Sequence, residues 1–431
     1  MTNPHDPYAA LRIPLFRNFL TTTCLVGMGT AAQSLAIGWE VYDRTEQAIS
    51  LGWVGLVQAI PMLLFTLPAG YMADVFDRRK LMMWSLLGAT ISSLALGVAS
   101  YYSAPVELLY LLLFIDATFL RIGWPARSAI LPLLVPEEIF ENAVKWRTSL
   151  MQVTGIAGPA IGGFLIAINI QAAYFLSALS SAAFILFLAG MRLPVAPRSQ
   201  RGNMVGQVVE GLRFVWRRQV LLGAISLDLF AVLLGGAVYL LPIFARDIID
   251  ASALGLEPEQ VLGWLRSAPA AGAVVMALLL AYLPPIQRSG HILYWSVAGF
   301  GVATIVFGFS ENFWLSMAAL ALTGAFDNVS MVIRQVITQM STPNEMRGRV
   351  SAVSSIFIGS SNELGGFESG LVAQLTTPVI SVVAGGVGTL VVVGTWCGLF
   401  PKLLSLGPLS SLRPERLEED DRTLSRRSES G

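Results

Sequence analysis

Cysteine and histidine are nearly missing from this chain: Cys24, Cys397, His5 and His291 are the full set among 431 residues. Both cysteines sit in apolar runs far apart in sequence, which gives neither a disulfide framework nor the close ligand spacing of a zinc site. Charge is scarce too. Asp, Glu, Lys and Arg make up 13% of the residues, where a soluble domain carries about a quarter. The formal net charge is zero, so no overall bias draws the molecule to nucleic acid. There is no P-loop, no metal-ligand cluster and no nucleophile with a nearby histidine, which argues against an enzyme and against ATP as the energy source.

What fills the chain is apolar: hydrophobic residues are 54% of it and the mean hydropathy is +0.65. A helix needs about 20 such residues to cross a bilayer, because each rises about 1.5 Å and lipid leaves no partner for free backbone groups. Runs of that size predict an all-α membrane protein with twelve spans, near 18–43, 51–73, 81–102, 105–123, 145–168, 171–191, 219–244, 260–283, 290–309, 313–335, 348–374 and 377–400. The stretch from Thr148 to Met191 carries no charge and holds two of them, with a turn at Asn169-Ile170-Gln171. The first span is too long for the h-region of a signal peptide and is expected to stay.

Positive charge marks the cytoplasmic side of such proteins. With the N-terminus inside, every Lys and Arg falls on the inner side or at an inner helix end except Arg44, Arg246 and Arg266, while Asp43, Glu46, Glu107, Asp250 and Glu311 lie outside. Both termini are then cytoplasmic. Residues 192–218 read as a cytoplasmic linker whose Met204, Val208, Leu212 and Val215 share one face of an interfacial helix. The tail, 402–431, becomes rich in Arg, Glu and Ser and is expected to be disordered.

The chain repeats itself. Arg127 is followed by Pro136-Glu137-Glu138, and Arg334 by Pro343-Asn344-Glu345 at the same interval, an offset of 207 residues (127 to 334) that also carries Gly158 onto Gly365 and Gly163 onto Gly370. Two six-helix halves, 1–191 and 219–401, with a substrate pathway between them, are therefore expected.

One tight cluster of charge stands between spans two and three, in "GYMADVFDRRK" (70–80). Its Gly70-x3-Asp74-x3-Arg78-Arg79 pattern resembles the signature loop of the major facilitator superfamily. The Asp74-x-x-Asp77-Arg78-Arg79 form is similar to the drug and siderophore exporters of its enterobactin-exporter-like branch. "PARSAILPLLVP" (125–136), "STPNEMRGRVSAV" (341–353) and "FIGSSNELGGFESG" (357–370) share that likeness. The resemblance implies a cytoplasmic latch of Gly70, Asp74, Asp77, Arg78 and Arg79, with Arg347 and Arg349 at the inner end of span eleven within reach of Asp74 or Asp77. Weak interfacial ion pairs, about 1 kcal/mol or less each, suit a latch that must also release. The competing account makes the basic residues topology signals alone. In the second half, Tyr282-Leu283-Pro284-Pro285-Ile286-Gln287-Arg288 has lost the acidic position, which implies an asymmetric latch.

Span five holds Gly158-Pro159-x-x-Gly162-Gly163, which resembles the antiporter motif of the same superfamily, with Thr154 in place of a usual glycine. Ordinary close helix packing is the plainer account of the same glycines.

Ionisable groups at bilayer depth are costly and are functional candidates by default. Asp116, Asp228, Asp327 and Glu363 fall near span centres, with Glu368 also on span eleven and Arg121 placed to neutralise a carboxylate. Such carboxylates can take up and release protons, or simply fix helices together. Gln33, Trp39, Glu40 and Asn362 are candidates to line the path. The resemblance implies a monomeric, proton-driven exporter of a small amphipathic compound in a bacterial-type inner membrane, with protons and lipid as partners and no cofactor. Transport of lipid or of metal ions, and a non-transporting scaffold or sensor, are the alternatives.

Overall fold

The computed structural model describes residues 6–191, 204–284, 286–343 and 345–408. The first half comprises α1 (Pro14–Thr45), α2 (Ala48–Val75), α3 (Arg78–Tyr101), α4 (Val106–Ile130), α5 (Phe140–Ile168) and α6 (Ile170–Gly190). After the linker helix α7 (Met204–Arg217) come α8 (Gln219–Leu234), the short α9 (Leu241–Ile243), α10 (Pro258–Tyr282), α11 (Ser289–Phe309), α12 (Phe313–Met340), α13 (Arg347–Leu375), α14 (Pro378–Leu399) and the short α15 (Pro401–Leu404). Among the described residues, ten elements, with Gln219–Ile248 counted as one, are long and apolar enough to cross a membrane. Helices α4 and α13 match them in length but carry Asp116 and Arg121, or Glu363 and Glu368, in mid-helix. The chain is a multi-pass helical membrane protein.

Local chemistry sets the boundaries. Asp77 accepts from the Lys80 amide at 2.9 Å and starts α3, and Asn312 and Thr377 cap α12 and α14 in the same way. A capping box between Glu257 and Gln260, with Pro258 at the first position, starts α10. Only Glu46 and Gln47 separate α1 from α2, and Glu46 takes the left-handed conformation (φ 52°) to close that turn.

The seventh span departs from the expected continuous helix over 219–244. Its helix stops at Leu234 before Gly235-Gly236, a 3-10 turn covers Ala237–Leu240, and a π-helical turn covers Phe244–Ile248. Two consecutive glycines favour the unfolded backbone and Pro242 lacks a donor, so the ladder breaks here. Irregular backbone at this depth is tolerated where protein rather than lipid surrounds it.

The repeat is visible as packing. In the first half α1 packs on α5 and α6, α3 on α4 and α6, and α2 on α4; in the second, α8 packs on α13 and α14, α11 on α12 and α14, and α10 on α12. The halves meet along two matching seams, α2 against α13 and α5 against α10. At the end rich in Asp43, Glu46 and Asp250, one apolar cluster runs through both halves, joining Leu51, Val54 and Ile166 to Phe244, Val261 and Leu265. At the opposite, basic end each half keeps its own cluster, one around Phe16, Met82 and Phe184, the other around Leu227, Ile333 and Val350. The halves are joined at the acidic end and part toward the basic end.

Helix α7 covers Met204–Arg217 of the linker. Val215 is buried in the second half's basic-end cluster and Val208 packs against it, whereas Leu212 is exposed, so the docked stripe is narrower than the spacing suggested. Residues 192–203 of the linker and 409–431 of the tail lie outside the described residues.

Candidate functional site

Three polar clusters sit at mid-depth. The first is inside the first half. Asp116 of α4 is buried and accepts hydrogen bonds from Gln33 Nε2 at 2.9 Å, Ser92 Oγ at 2.8 Å and Ser93 Oγ at 3.5 Å. Gln33, read as a path-lining residue, is buried against this carboxyl, and its own Oε1 finds no partner among the described residues. No cation forms an ion pair with Asp116 among the described residues. Glu40 is committed elsewhere: it pairs with Arg44 and accepts from Tyr174 Oη at 2.6 Å, tying α1 to α6.

The second cluster is inside the second half. Asp228 of α8 forms a buried ion pair with Arg334 of α12, and Arg334 Nη2 lies 3.9 Å from Asp327 Oδ1. One guanidinium thus serves two carboxylates. Asp327 is 49% exposed although it sits midway along α12, and a charged group at that depth must face water rather than lipid. Arg334 lies inside α12, buried, and its repeat counterpart Arg127 lies inside α4. Position 21, which matches Asp228, is Thr21, and position 120, which matches Asp327, is Leu120. Arg127 stands instead 5.7 Å over the Phe184 ring, with Nε unpartnered among the described residues.

The third cluster bridges the halves. Glu363 of α13 accepts from Tyr239 Oη at 2.5 Å, and Arg121 Nη2 of α4 lies 3.8 Å from its other oxygen. Tyr239 comes from the break in the seventh span. Arg266 of α10 donates to Val238 O at 3.1 Å from the same break and stands 6.0 Å over the Tyr239 ring. Arg266 had been assigned to the outer side; it is two turns inside α10, where it lines a cavity of about 40 Å³ with Ser34, Gln58, Tyr239 and Pro242. Among the described residues Glu368 accepts one side-chain hydrogen bond, from Ser369 Oγ at 3.4 Å, and Asn362 is exposed with Nδ2 on Ile358 O at 2.8 Å.

The charged loop does other work in this conformation. Arg78 donates to Ala129 O at 3.1 Å, and Arg79 to Leu188 O and Ala189 O at 2.7 and 2.6 Å. Both therefore satisfy the orphan carbonyls that end α4 and α6, within their own half. Asp77 is the α3 cap, and Gly70 lies inside α2. Asp74 is exposed and forms no ion pair among the described residues. Arg347 holds Gln339 O at 3.1 Å and Thr342 O at 3.3 Å, and Arg349 pairs with Glu210 of α7 at 2.8 Å. The suggested contact of Arg347 with Asp74 or Asp77 is not made here, consistent with halves that part at this end.

The glycines of span five divide between two neighbours. A methyl group on Gly158 would meet Ala31 of α1 at 2.8 Å, and one on Gly162 would lie 2.9 Å from Ala32. On Gly163 it would lie 2.8 Å from the Gly263 Cα of α10, across the seam. Pro159 presents its carbonyl to Gly263, and Ser267 Oγ donates across the seam to Ile156 O at 2.7 Å.

Two repeated helical halves, joined at one end and holding charge at mid-depth, define a membrane transporter of the major facilitator fold and not an enzyme. The chain belongs to the transmembrane secretion effector family, which it matches over residues 5–409. It is 29% identical over 367 residues to the multidrug efflux pump Tap of Mycobacterium tuberculosis, covering 80% of this chain and 84% of that one. It is 25% identical over 382 residues to the enterobactin exporter EntS of Shigella dysenteriae, covering 88% and 90%. The crystal structure of the nucleoside transporter NupG superposes with a TM-score of 0.73 at 12% identity, covering 90% of this chain and 100% of that one.

Proposed function

We propose that this transporter exports a small amphipathic compound, of the drug or siderophore kind, in exchange for protons, and that it works by alternating access as a monomer in a bacterial-type inner membrane. Both termini and the basic end face the cytoplasm in this reading, by the positive-inside rule. The observation that carries it is the one-ended seal. The halves are locked at the acidic end by shared apolar packing and stand apart at the basic end, which is the arrangement a carrier takes while it receives cargo from inside. The relatives named as efflux pumps support the direction of transport.

The mid-depth carboxylates differ in fitness for carrying a proton. Asp228 and Asp327 share Arg334, and protonating Asp228 breaks its buried ion pair and leaves the guanidinium only the 3.9 Å contact with Asp327. Among the described residues Asp116 is held by neutral hydrogen-bonding groups alone, so it can gain or lose a proton without breaking an ion pair. We assign it the coupling role. Glu363, held by Tyr239 and Arg121 between the halves, is placed to sense cargo.

Proteoliposomes containing the purified chain, given an imposed pH gradient and screened with siderophores, dyes and antibiotics, test the reading. Uptake of at least one compound against its gradient, abolished by a protonophore, is expected. Folded protein that responds to no pH gradient would sink proton exchange.

A further inference from the structure

The cluster between the halves has an unbalanced charge. Arg121 and Arg266 approach it from α4 and α10, and Glu363 is the carboxylate that faces them. The closest approach of Arg121 to Glu363 is 3.8 Å, to Oε1, too long for a direct hydrogen bond, while Tyr239 Oη donates to the other carboxylate oxygen at 2.5 Å. Arg266 spends one donor on Val238 O and one face on the Tyr239 ring. A guanidinium has five N–H donors in a planar fork, so most of those on Arg266 remain for whatever enters the cavity beside it. That cavity is walled on one side by Leu35, Leu51 and Val54 and on the other by Leu262 and Pro242, with Gln58 as a further amide.

We infer that this cavity is the head of the cargo site and that it recognises an acidic group, such as a carboxylate or ionised phenol, on an aromatic or otherwise apolar body. Two arginines against one carboxylate leave one positive charge; Arg121 is 37% exposed, so the uncompensated charge falls on Arg266, which sits among the buried Leu35, Leu51, Val54 and Leu262, and burying a charge without a counter-ion is costly. An anionic cargo supplies the counter-ion and fits the guanidinium fork in two-point fashion; a cavity of about 40 Å³ admits the acidic group, and the apolar body lies outside it, toward the basic end where the halves part. Glu363 competes for the same cations, so it weakens the bound state and gives the cargo a route out when the cavity changes face. The inference rests on the exporter reading only in taking this cavity as part of the transport path; the binding chemistry stands apart from what drives movement.

Two probes with the same ring system and opposite charge, 1-naphthoate and 1-naphthylmethylammonium, test it by isothermal titration against the purified full chain. Naphthoate should bind at least about tenfold more tightly than the cation, since charge-assisted bonds are at issue. Arg266→Gln should erase the preference, Arg266→Lys should keep part of it, and Glu363→Gln should strengthen naphthoate binding several-fold. The last variant gains affinity, which a misfolded protein cannot do. A wild-type protein that prefers the cation or binds neither probe, a preference that survives Arg266→Gln, or a Glu363→Gln variant that binds naphthoate no better, each overturns the anion site. Gradient-driven movement of a dye by wild-type protein that shows no anion preference would remove this site and leave the exporter. Arg266-dependent naphthoate binding without any gradient-driven movement would do the reverse.

Discussion

Arg246 closes the acidic end, and replacing it by Gln should tip the carrier toward the state open on that side. Its guanidinium, on the π-helical turn of the second half, lies 3.4 Å from Asp43 and 3.0 Å from Glu46 of the first half, and 5.6 Å over the Tyr42 ring. Exposed ion pairs contribute about 0.2–1 kcal/mol each and a cation–π contact about 0.5–1 kcal/mol. Arg246 is 28% exposed but its two partners are 55% and 72% exposed, so the lower part of each range applies. The sum is about 1.5 kcal/mol, roughly a tenfold shift between the two states. A single cysteine at Val54, which is 5% exposed in the sealed end, reports the change in a Cys24→Ser, Cys397→Ser background. Labelling of intact cells by a membrane-impermeant maleimide should speed up about tenfold in Arg246→Gln. Raising salt should speed it in the parent and leave the variant unchanged, because screening acts on pairs that the variant lacks. Equal labelling rates in the two, with both proteins folded, would refute the latch.

Three further outcomes follow from the same geometry. Asp116→Asn keeps the volume and the bond from Ser92, and a flip of the Gln33 amide lets its unpartnered Oε1 accept from the new NH2; cargo exchange without a gradient should persist while accumulation driven by a pH gradient is lost, and retained accumulation would take Asp116 out of the coupling. Asp228→Asn breaks the buried pair and leaves Arg334 only Asp327 at 3.9 Å, which should cost up to about 3 kcal/mol, read as a lowered unfolding temperature, and adding Arg334→Gln should recover most of it; a double variant no more stable than the single one would deny the pairing. Gly370→Ala puts a methyl 2.6 Å from the Gly52 nitrogen and should cost the sealed state about 1–3 kcal/mol, raising maleimide labelling at Val54; no rise would mean that the seam yields.

The membrane class, the helices and the mid-depth carboxylates were legible in the sequence for one physical reason. Uncharged runs of helix length are rare outside bilayers, and a charge inside one stands out whatever its neighbours are. Partners were harder to read. That Asp116 meets Gln33, that Asp228 meets Arg334 and that Glu363 meets Tyr239 depends on which helices touch, and hydropathy carries no such information. Arg266 was misplaced because it lies only two turns from the start of α10, where an apolar window does not settle which side of the boundary a charge occupies. The break in the seventh span had a usable signal, since Gly235-Gly236 followed by Pro242 is a poor continuation for any helix. Arg78 and Arg79 illustrate the opposite error. Their sequence pattern suggests a latch, while their bonds to the ends of α4 and α6 show what holds them when no latch is formed.

The offset of 207 residues (163 to 370) that pairs Gly163 with Gly370 gains a mechanical meaning from their neighbours. Gly163 meets Gly263 across the α5–α10 seam, and Gly370 meets Gly52 across the α2–α13 seam. Each half thus contributes one glycine from its fifth helix and one from its second, and the two contacts are the same joint used twice. Glycine pairs bring backbones close enough that dispersion and backbone contacts, not long side chains, hold the helices together. A joint of that kind has no side chain to unlock, so two rigid halves can rock about it with little reorganisation. The specific locking is then left to Arg246 and its carboxylates, which differ between the halves and break cheaply. Gly158 and Gly365 complete the division: they pack α5 on α1 and α13 on α8, inside the halves, where rigidity is needed if a change at mid-depth is to reach both ends.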